Sequence, residues 1–343
     1  MGAVRLALDA TYSIGDNLTG VGVYSREMLS GIAALNQPDP VRYLYRPHRL
    51  LASLDEHLPG NVRRGLLLQT LGYRKLLFHG LNQRLPRRAF RRQVVTFHDL
   101  FVLTAEYSSL EFRRRFAQQA RHAAAAADTI IAVSEFTAGQ VRDLLGVPAA
   151  RVQVVHHGVH LPAPATQPRV KMVLHVGAVQ TRKNLVRLVT AFEAVPDDWR
   201  LVLLGGPGYG ADTVASAIAK SPARQRITVT GYVEAAALPS WYARASVFAF
   251  PSLDEGFGMP VLEAMAAGVP VIASNRGALP EVCGDAALLV DAFDTTALAQ
   301  NLQLLCCDAD YRATMAARGL LRAAQFPWSQ AVARTHSVYQ QLQ

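Results

Sequence analysis

The chain has 343 residues, half of them hydrophobic and 18% charged, which excludes a disordered protein and leaves room for two domains. No apolar run approaches the roughly 18 residues of a spanning helix, and the opening MGAVRLALDATYS reads as a first strand, so a cytoplasmic setting is expected. The net charge of +9 is unevenly spread, with twelve Lys or Arg against two acids between Arg42 and Arg92 and a further cluster at Arg113, Arg114 and Arg115. Such a face is either plain solvated surface or a contact for anionic lipid head groups or a diphosphate-bearing acceptor. No nucleic-acid recognition motif accompanies it. Cys283, Cys306 and Cys307 have neither metal nor redox spacing and read as packing residues in a reducing compartment.

In chain order, strand-like apolar runs alternate with helical stretches, the pattern of parallel sheets covered on both faces. Strands are expected at Val4–Asp9, Gln93–Phe97, Thr129–Val133 and Val152–His156, with helices over Gly22–Ala34, Ser109–Ala126 and Glu135–Leu145. Ser134 suits the start of the last of these helices. The proline-rich stretch Leu161–Pro168 favours neither helix nor sheet and is expected to be the linker. The rhythm then restarts, with strands at Val173–Val176, Arg200–Leu204, Ile227–Thr230, Val247–Phe250 and Pro270–Ala273, and a helix at Asn184–Ala194. Ligands of such sheets bind beyond the carboxyl ends of the strands. His98, Gly177, Gly205, Tyr232, Glu255 and Gly277 all fall there.

The densest chemistry lies in Pro251–Gly268, PSLDEGFGMPVLEAMAAG. Gly256 and Gly258 permit a sharp turn and close backbone approach, and Pro260 suits the first position of a helix. The free amides of that first turn form an anion site. Glu255 on the loop and Glu263 in the first helical turn would flank it, matching a ligand with phosphate at its centre and sugars on both sides. Earlier, Gly20 and Gly22 in TGVGVY open the first helix and could bring amides to a phosphate or a sugar, although the third glycine of a dinucleotide fingerprint is missing. His98 in TFHDL ends a buried strand and is either a ligand group or a histidine satisfied by Asp99. Arg182 and Lys183 in QTRKN could neutralise a diphosphate, or merely begin a helix.

The Glu255-x7-Glu263 spacing, with Ala249–Ser252 before it and VLEAMAAGVPVIAS and ALPEVCGDAALLVD after it, resembles the retaining glycosyltransferases of family 4. That resemblance implies an α/β fold of two Rossmann-like domains facing across a cleft (GT-B), with a C-terminal helix crossing back to the N-terminal domain. The expected division is residues 1–163 for the acceptor-binding domain, 169–325 for the nucleotide-sugar domain and 326–343 for the crossover helix. It also implies His98 and Glu255 as catalytic residues at the transferred sugar. Gly20, Gly22, Arg182, Lys183, Tyr232, Val233, Gly256, Phe257, Gly258, Met259, Pro260 and Glu263 would bind the donor, with Glu263 on the ribose hydroxyls. One departure is Ala178, where some members carry an arginine after the strand glycine; it shifts the phosphate charge onto Arg182 and Lys183.

The words TGVGVY, FHDL, TRKN, DEGFGMPVLEAM and LPEVCGDAA look most like bacterial mannosyltransferases of polysaccharide assembly. The expected reaction moves a hexose from a nucleotide diphosphate sugar, with GDP-mannose favoured and UDP-glucose and dTDP-rhamnose open, to a glycan or lipid-linked glycan. No cofactor or metal is expected, since the only Asp-x-Asp element, Asp308-Ala309-Asp310, lies in a late helical region. A nucleotide-sugar epimerase on the same scaffold and a catalytically silent sugar-binding subunit are the alternatives. Peripheral contact with the inner face of the cytoplasmic membrane is one of the uses open to the basic region, beside plain solvated surface.

Overall fold

A computed structural model describes residues 5–15, 18–35, 39–68, 75–87, 90–162 and 168–342. The chain forms two compact units, one of Met1–Thr104, Leu110–Gly158 and Trp328–Gln343, the other of Ala105–Ser109 and Val159–Pro327. Most of the expected linker, residues 163–167, lies outside the described residues.

Among the described residues, the first unit holds seven parallel strands: β1 (Leu6–Asp9), β2 (Val41–Tyr45), β3 (Val62–Leu66), β4 (Leu77–Gly80), β5 (Arg92–Phe97), β6 (Thr129–Ala132) and β7 (Val152–Val154). They run in the order β3-β2-β1-β4-β5-β6-β7. The order reverses direction between β1 and β4, which is where open α/β sheets bind ligands. β2, β3 and β4 are absent from the sequence reading. β3 is VRRGL, with two arginines and a glycine, and it is a strand because Val62 to Leu66 pair in register with Val41 to Tyr45. β4 is LFHG, fully buried between β1 and β5.

The second unit repeats the plan with β8 (Met172–Val176), β9 (Arg200–Leu204), β10 (Ile227–Gly231), β11 (Val247–Phe250), β12 (Val271–Ser274) and β13 (Ala287–Val290), in the order β10-β9-β8-β11-β12-β13. β8 and β11 are the switch-point neighbours, and their carboxyl ends carry the loops of interest. The strand bodies are dry: Val173, Leu174, Leu201, Leu203, Val247 and Ile272 are completely buried. Such two-sided burial accounts for the continuous apolar runs, which a one-sided sheet would alternate.

Several boundaries differ from the sequence reading for local reasons. The helix expected at Asn184–Ala194 spans Leu185–Phe192, because Asn184 sits in the left-handed region at φ 59° and cannot be helical. β12 starts at Val271, since Pro270 has no N–H for the ladder. β7 stops at Val154, leaving His156 and His157 on the following loop. The helix Met259–Ala266 begins one residue before Pro260, with Gly258 at φ 95° as its N-cap. Pro260 is therefore the second helical residue, and Glu263 stands in the second turn rather than the first. The last helix runs Trp328–Gln341 and packs on the helix Gly20–Ala34 within the first unit.

Candidate active site

In the second unit, the loops after β8 and β11 bring Arg182, Lys183 and Glu255 together. Lys183 Nζ donates to Glu255 Oε1 at 2.5 Å, and Arg182 Nη1 approaches the same oxygen at 2.9 Å. All three side chains are buried. Burial by itself would raise the Glu255 carboxyl; the Arg182 and Lys183 charges, with the Lys183 hydrogen bond, outweigh it and hold the group down at about 2. Glu255 is thus ionised at neutral pH. Arg182 Nη1 also donates to the Asp254 carbonyl, and the Lys183 ammonium lies 4.5 Å from the Phe250 ring centroid.

Two backbone devices hold this cluster. Asn184 adopts the left-handed conformation that Asn tolerates better than most residues. Its Nδ2 donates to the Pro251 carbonyl at 3.0 Å and the Ala292 carbonyl at 2.7 Å, tying the loop after β8 to the loops after β11 and β13. Gly277, at φ 63°, lies so close to Glu255 that a Cβ there would stand 2.5 Å from the Glu255 carbonyl oxygen and 2.7 Å from its nitrogen. The Ala278 N–H donates to that same carbonyl.

Gly258 turns the chain into the helix Met259–Ala266, and a Cβ on it would meet Leu279 Cδ2 at 2.7 Å. Phe257 points inward, edge-on to Phe326 at 6.1 Å, so its ring belongs to the core and only its backbone can face a donor. Gly256 is buried, while Met259 and Pro260 are half-buried. Glu263 accepts the Tyr242 hydroxyl at 2.7 Å. Burial raises the Glu263 carboxyl, and the Tyr242 hydrogen bond lowers it only in part. Tyr232 and Val233 follow β10, the edge strand, and Tyr232 is 58% exposed. They stand two strands away from β8, apart from the Arg182–Lys183–Glu255 cluster. Asp308 caps the helix Ala309–Ala323, accepting from the Tyr311 N–H. Among the described residues, no group of three or more His, Cys, Asp or Glu is placed to hold a metal ion.

In the first unit, His98 follows β5. Its Nε2 lies 2.9 Å from the Leu81 carbonyl and its Nδ1 3.3 Å from His157 Nε2. Burial lowers the His98 imidazole to about 4, against a smaller opposing effect of the Leu81 bond, so the ring is neutral at pH 7. Gly20 is exposed at the start of the helix Gly20–Ala34. Gly22 is buried, and a Cβ there would meet the Tyr12 carbonyl at 2.9 Å. Packing against the preceding loop is therefore one reason for a glycine at this position.

Asn184, Tyr242 and His157 went unnoticed in the sequence. The first was visible in principle, as an asparagine between a strand loop and an apolar helical run, where a left-handed residue is often required. Tyr242 and His157 gave no such signal, because their partners lie 21 and 59 positions away.

Comparison with known proteins gives a consistent picture. A family model described as Glycosyltransferase Family 4 matches residues 25–162, and one described as Glycosyl transferases group 1 matches residues 170–308. The O-antigen chain mannosyltransferase B of Escherichia coli is 30% identical across 97% of this chain and 99% of its own. A GDP-mannose-dependent alpha-(1-6)-phosphatidylinositol monomannoside mannosyltransferase of Mycobacterium tuberculosis is 31% identical over 60% of each chain. Among solved structures, a sucrose-phosphate synthase from Thermosynechococcus elongatus superposes with a TM-score of 0.79 at 23% identity, covering 99% of both chains. Anabaena HepE in complex with UDP-glucose gives 0.76 at 17% identity, covering 99% of this chain and all of the other. At these identities the structural likeness speaks for the fold.

Proposed function

Since the chain belongs to glycosyltransferase family 4 and is a glycosyltransferase of the two-domain GT-B type, we propose that it transfers mannose from GDP-mannose to a glycan or lipid-linked glycan, retaining configuration and using no metal ion. The observation that carries this reading is the convergence of buried Arg182 and Lys183 on Glu255, beside the loop that opens the helix Met259–Ala266.

The donor diphosphate would lie at that helix start, where amide N–H groups and the dipole favour negative charge. Arg182 and Lys183 would neutralise the leaving group through charge-assisted hydrogen bonds. As the glycosidic bond loosens, positive charge grows on the sugar. Glu255, ionised down to about pH 2, would steady that charge and hold hydroxyls. In the role the family resemblance gives it at the transferred sugar, His98 would be a neutral imidazole and would add no positive charge. Glu263, oriented by Tyr242, would accept from the ribose hydroxyls. Same-face attack on the loosened sugar accounts for retention.

Mannose is favoured by what the Escherichia coli and Mycobacterium tuberculosis relatives are named for, and an acceptor on a lipid carrier suits the basic first unit. Among the described residues no helix is long and apolar enough to cross a membrane. A lipid-linked acceptor would bring the enzyme to the inner face of the cytoplasmic membrane. The test is nucleotide release from GDP-mannose, UDP-glucose, UDP-GlcNAc and dTDP-rhamnose, with and without EDTA. Slow release of GDP alone, unchanged by EDTA, is expected. Release from another donor would overturn the mannose assignment, and loss with EDTA would overturn the metal-free one.

A further inference from the structure

We propose that His157 is a positioning residue for His98, fixing its tautomer and ring plane through a direct histidine–histidine hydrogen bond. The proposal rests on the reading of His98 as the imidazole beside the transferred sugar. A carbonyl oxygen only accepts, so the 2.9 Å contact with Leu81 puts the His98 proton on Nε2. Nδ1 is then a lone pair. Its neighbour at 3.3 Å, His157 Nε2, must carry a proton and donate. The direction of the bond follows from the Leu81 carbonyl alone.

Packing keeps both rings in that relation. The two imidazole planes lie only 19° apart, with ring centroids separated by 5.2 Å. Tyr24 abuts both, 4.8 Å from His98 and 4.9 Å from His157, while Trp328 covers His157 at 6.0 Å. Tyr24 is itself anchored. Its hydroxyl bonds Thr96 Oγ1 at 3.0 Å, Thr96 bonds His79 Nε2 at 2.8 Å, and His79 Nδ1 bonds the Tyr339 hydroxyl at 2.6 Å. Burial depresses all three imidazoles, so the bond joins neutral rings.

One consequence separates this arrangement from simple acid–base catalysis. Both His98 nitrogens are occupied by the protein, so proton transfer through His98 would have to break a buried hydrogen bond. His98 instead presents a fixed, uncharged ring to the sugar, and its placement depends on His157.

The experiment pairs spectroscopy with kinetics. Long-range 1H–15N spectra of protein labelled at histidine should show His98 protonated at Nε2, with Nδ1 as a hydrogen-bonded, unprotonated nitrogen. In His157→Leu, the Nδ1 resonance should move to the position of an unbonded nitrogen. Turnover should fall about five- to tenfold, the worth of one buried hydrogen bond, with the donor KM within twofold. His157→Gln keeps an N–H donor and should restore the resonance and most of the turnover. A His98 protonated at Nδ1 in the native protein would overturn the proposal even if both variants fail to fold. An Nδ1 signal unmoved in His157→Leu, or no rescue by His157→Gln, would overturn it as well. A moved resonance with unchanged turnover would sustain the hydrogen bond but remove His98 from the reaction centre, which is a failure of the reading above.

Discussion

Glu255 is a carboxylate that burial pushes one way and two cations pull the other, with the cations prevailing. Its pKa falls from 4.5 to about 2, so the native state gains stability from it that is complete above pH 4.5 and lost as pH falls through 2. Glu255→Gln should abolish that part of the acid dependence in urea unfolding measured from pH 5 downward. The same change strands two buried cations and should cost about 3–5 kcal/mol at pH 7. It should cut turnover by roughly a hundredfold or more while leaving GDP affinity unreduced, because the guanidinium and ammonium are released toward the diphosphate. Equal losses in turnover and in GDP binding by calorimetry would place Glu255 elsewhere. Gly277→Ala should destabilise by about 1–3 kcal/mol or more, since it adds both a left-handed Cβ and a clash with the Glu255 backbone. Activity should fall with it, as Glu255 is the atom group displaced.

The helix Trp328–Gln341 shows how one element reaches the His98 region of its unit. Two glycines seat it: a Cβ on Gly158 would stand 2.5 Å from the Trp328 backbone nitrogen, and one on Gly31 would stand 2.3 Å from Val332 Cγ2. Gly158→Ala meets rigid backbone and should lower the melting temperature more than Gly31→Ala, which meets a side chain that can turn. Tyr339→Phe removes the hydroxyl that bonds His79 and leaves a buried nitrogen without its partner, at about 1–3 kcal/mol in urea unfolding. The existence of this helix was legible from Trp328 and Tyr339 in an amphipathic stretch. Its seating was not, because Gly31 and Gly158 look unremarkable until a helix from the far end of the chain lies against them. β3 teaches the same lesson, since VRRGL has poor strand character and is held by its pairing with β2.

At the scale of the whole molecule, the chain carries a net charge of +9, and several arginines of its basic stretch are held in place by the fold. Arg64 donates to the Ser53 and Glu56 carbonyls, Arg84 to the Tyr12 hydroxyl, Arg46 pairs with Asp9 and Arg92 with Asp128. Beside these committed arginines, Leu51 and Leu54 stand 79% and 59% exposed. Binding to vesicles containing anionic lipid should therefore weaken with added salt without vanishing, and Leu51→Asp with Leu54→Asp should remove the residue. Binding indifferent both to salt and to these substitutions would exclude this face as the contact.

The amino-acid sequence by itself determined the two parallel-sheet domains and the family, and it singled out Arg182, Lys183 and Glu255, which the fold brings together. Apolar strand runs, glycine turns and helix starts are local matters, governed by backbone geometry and burial within a few residues. Only the tertiary structure decided that Arg182 and Lys183 converge on Glu255, that the Phe257 ring is buried, that a Cβ at Gly22 would clash with the Tyr12 carbonyl, and that His98 meets His157. Each of those depends on contact between strand ends or loops far apart in the chain, and hydrogen-bond direction and desolvation take effect only once such groups meet in a dry interior.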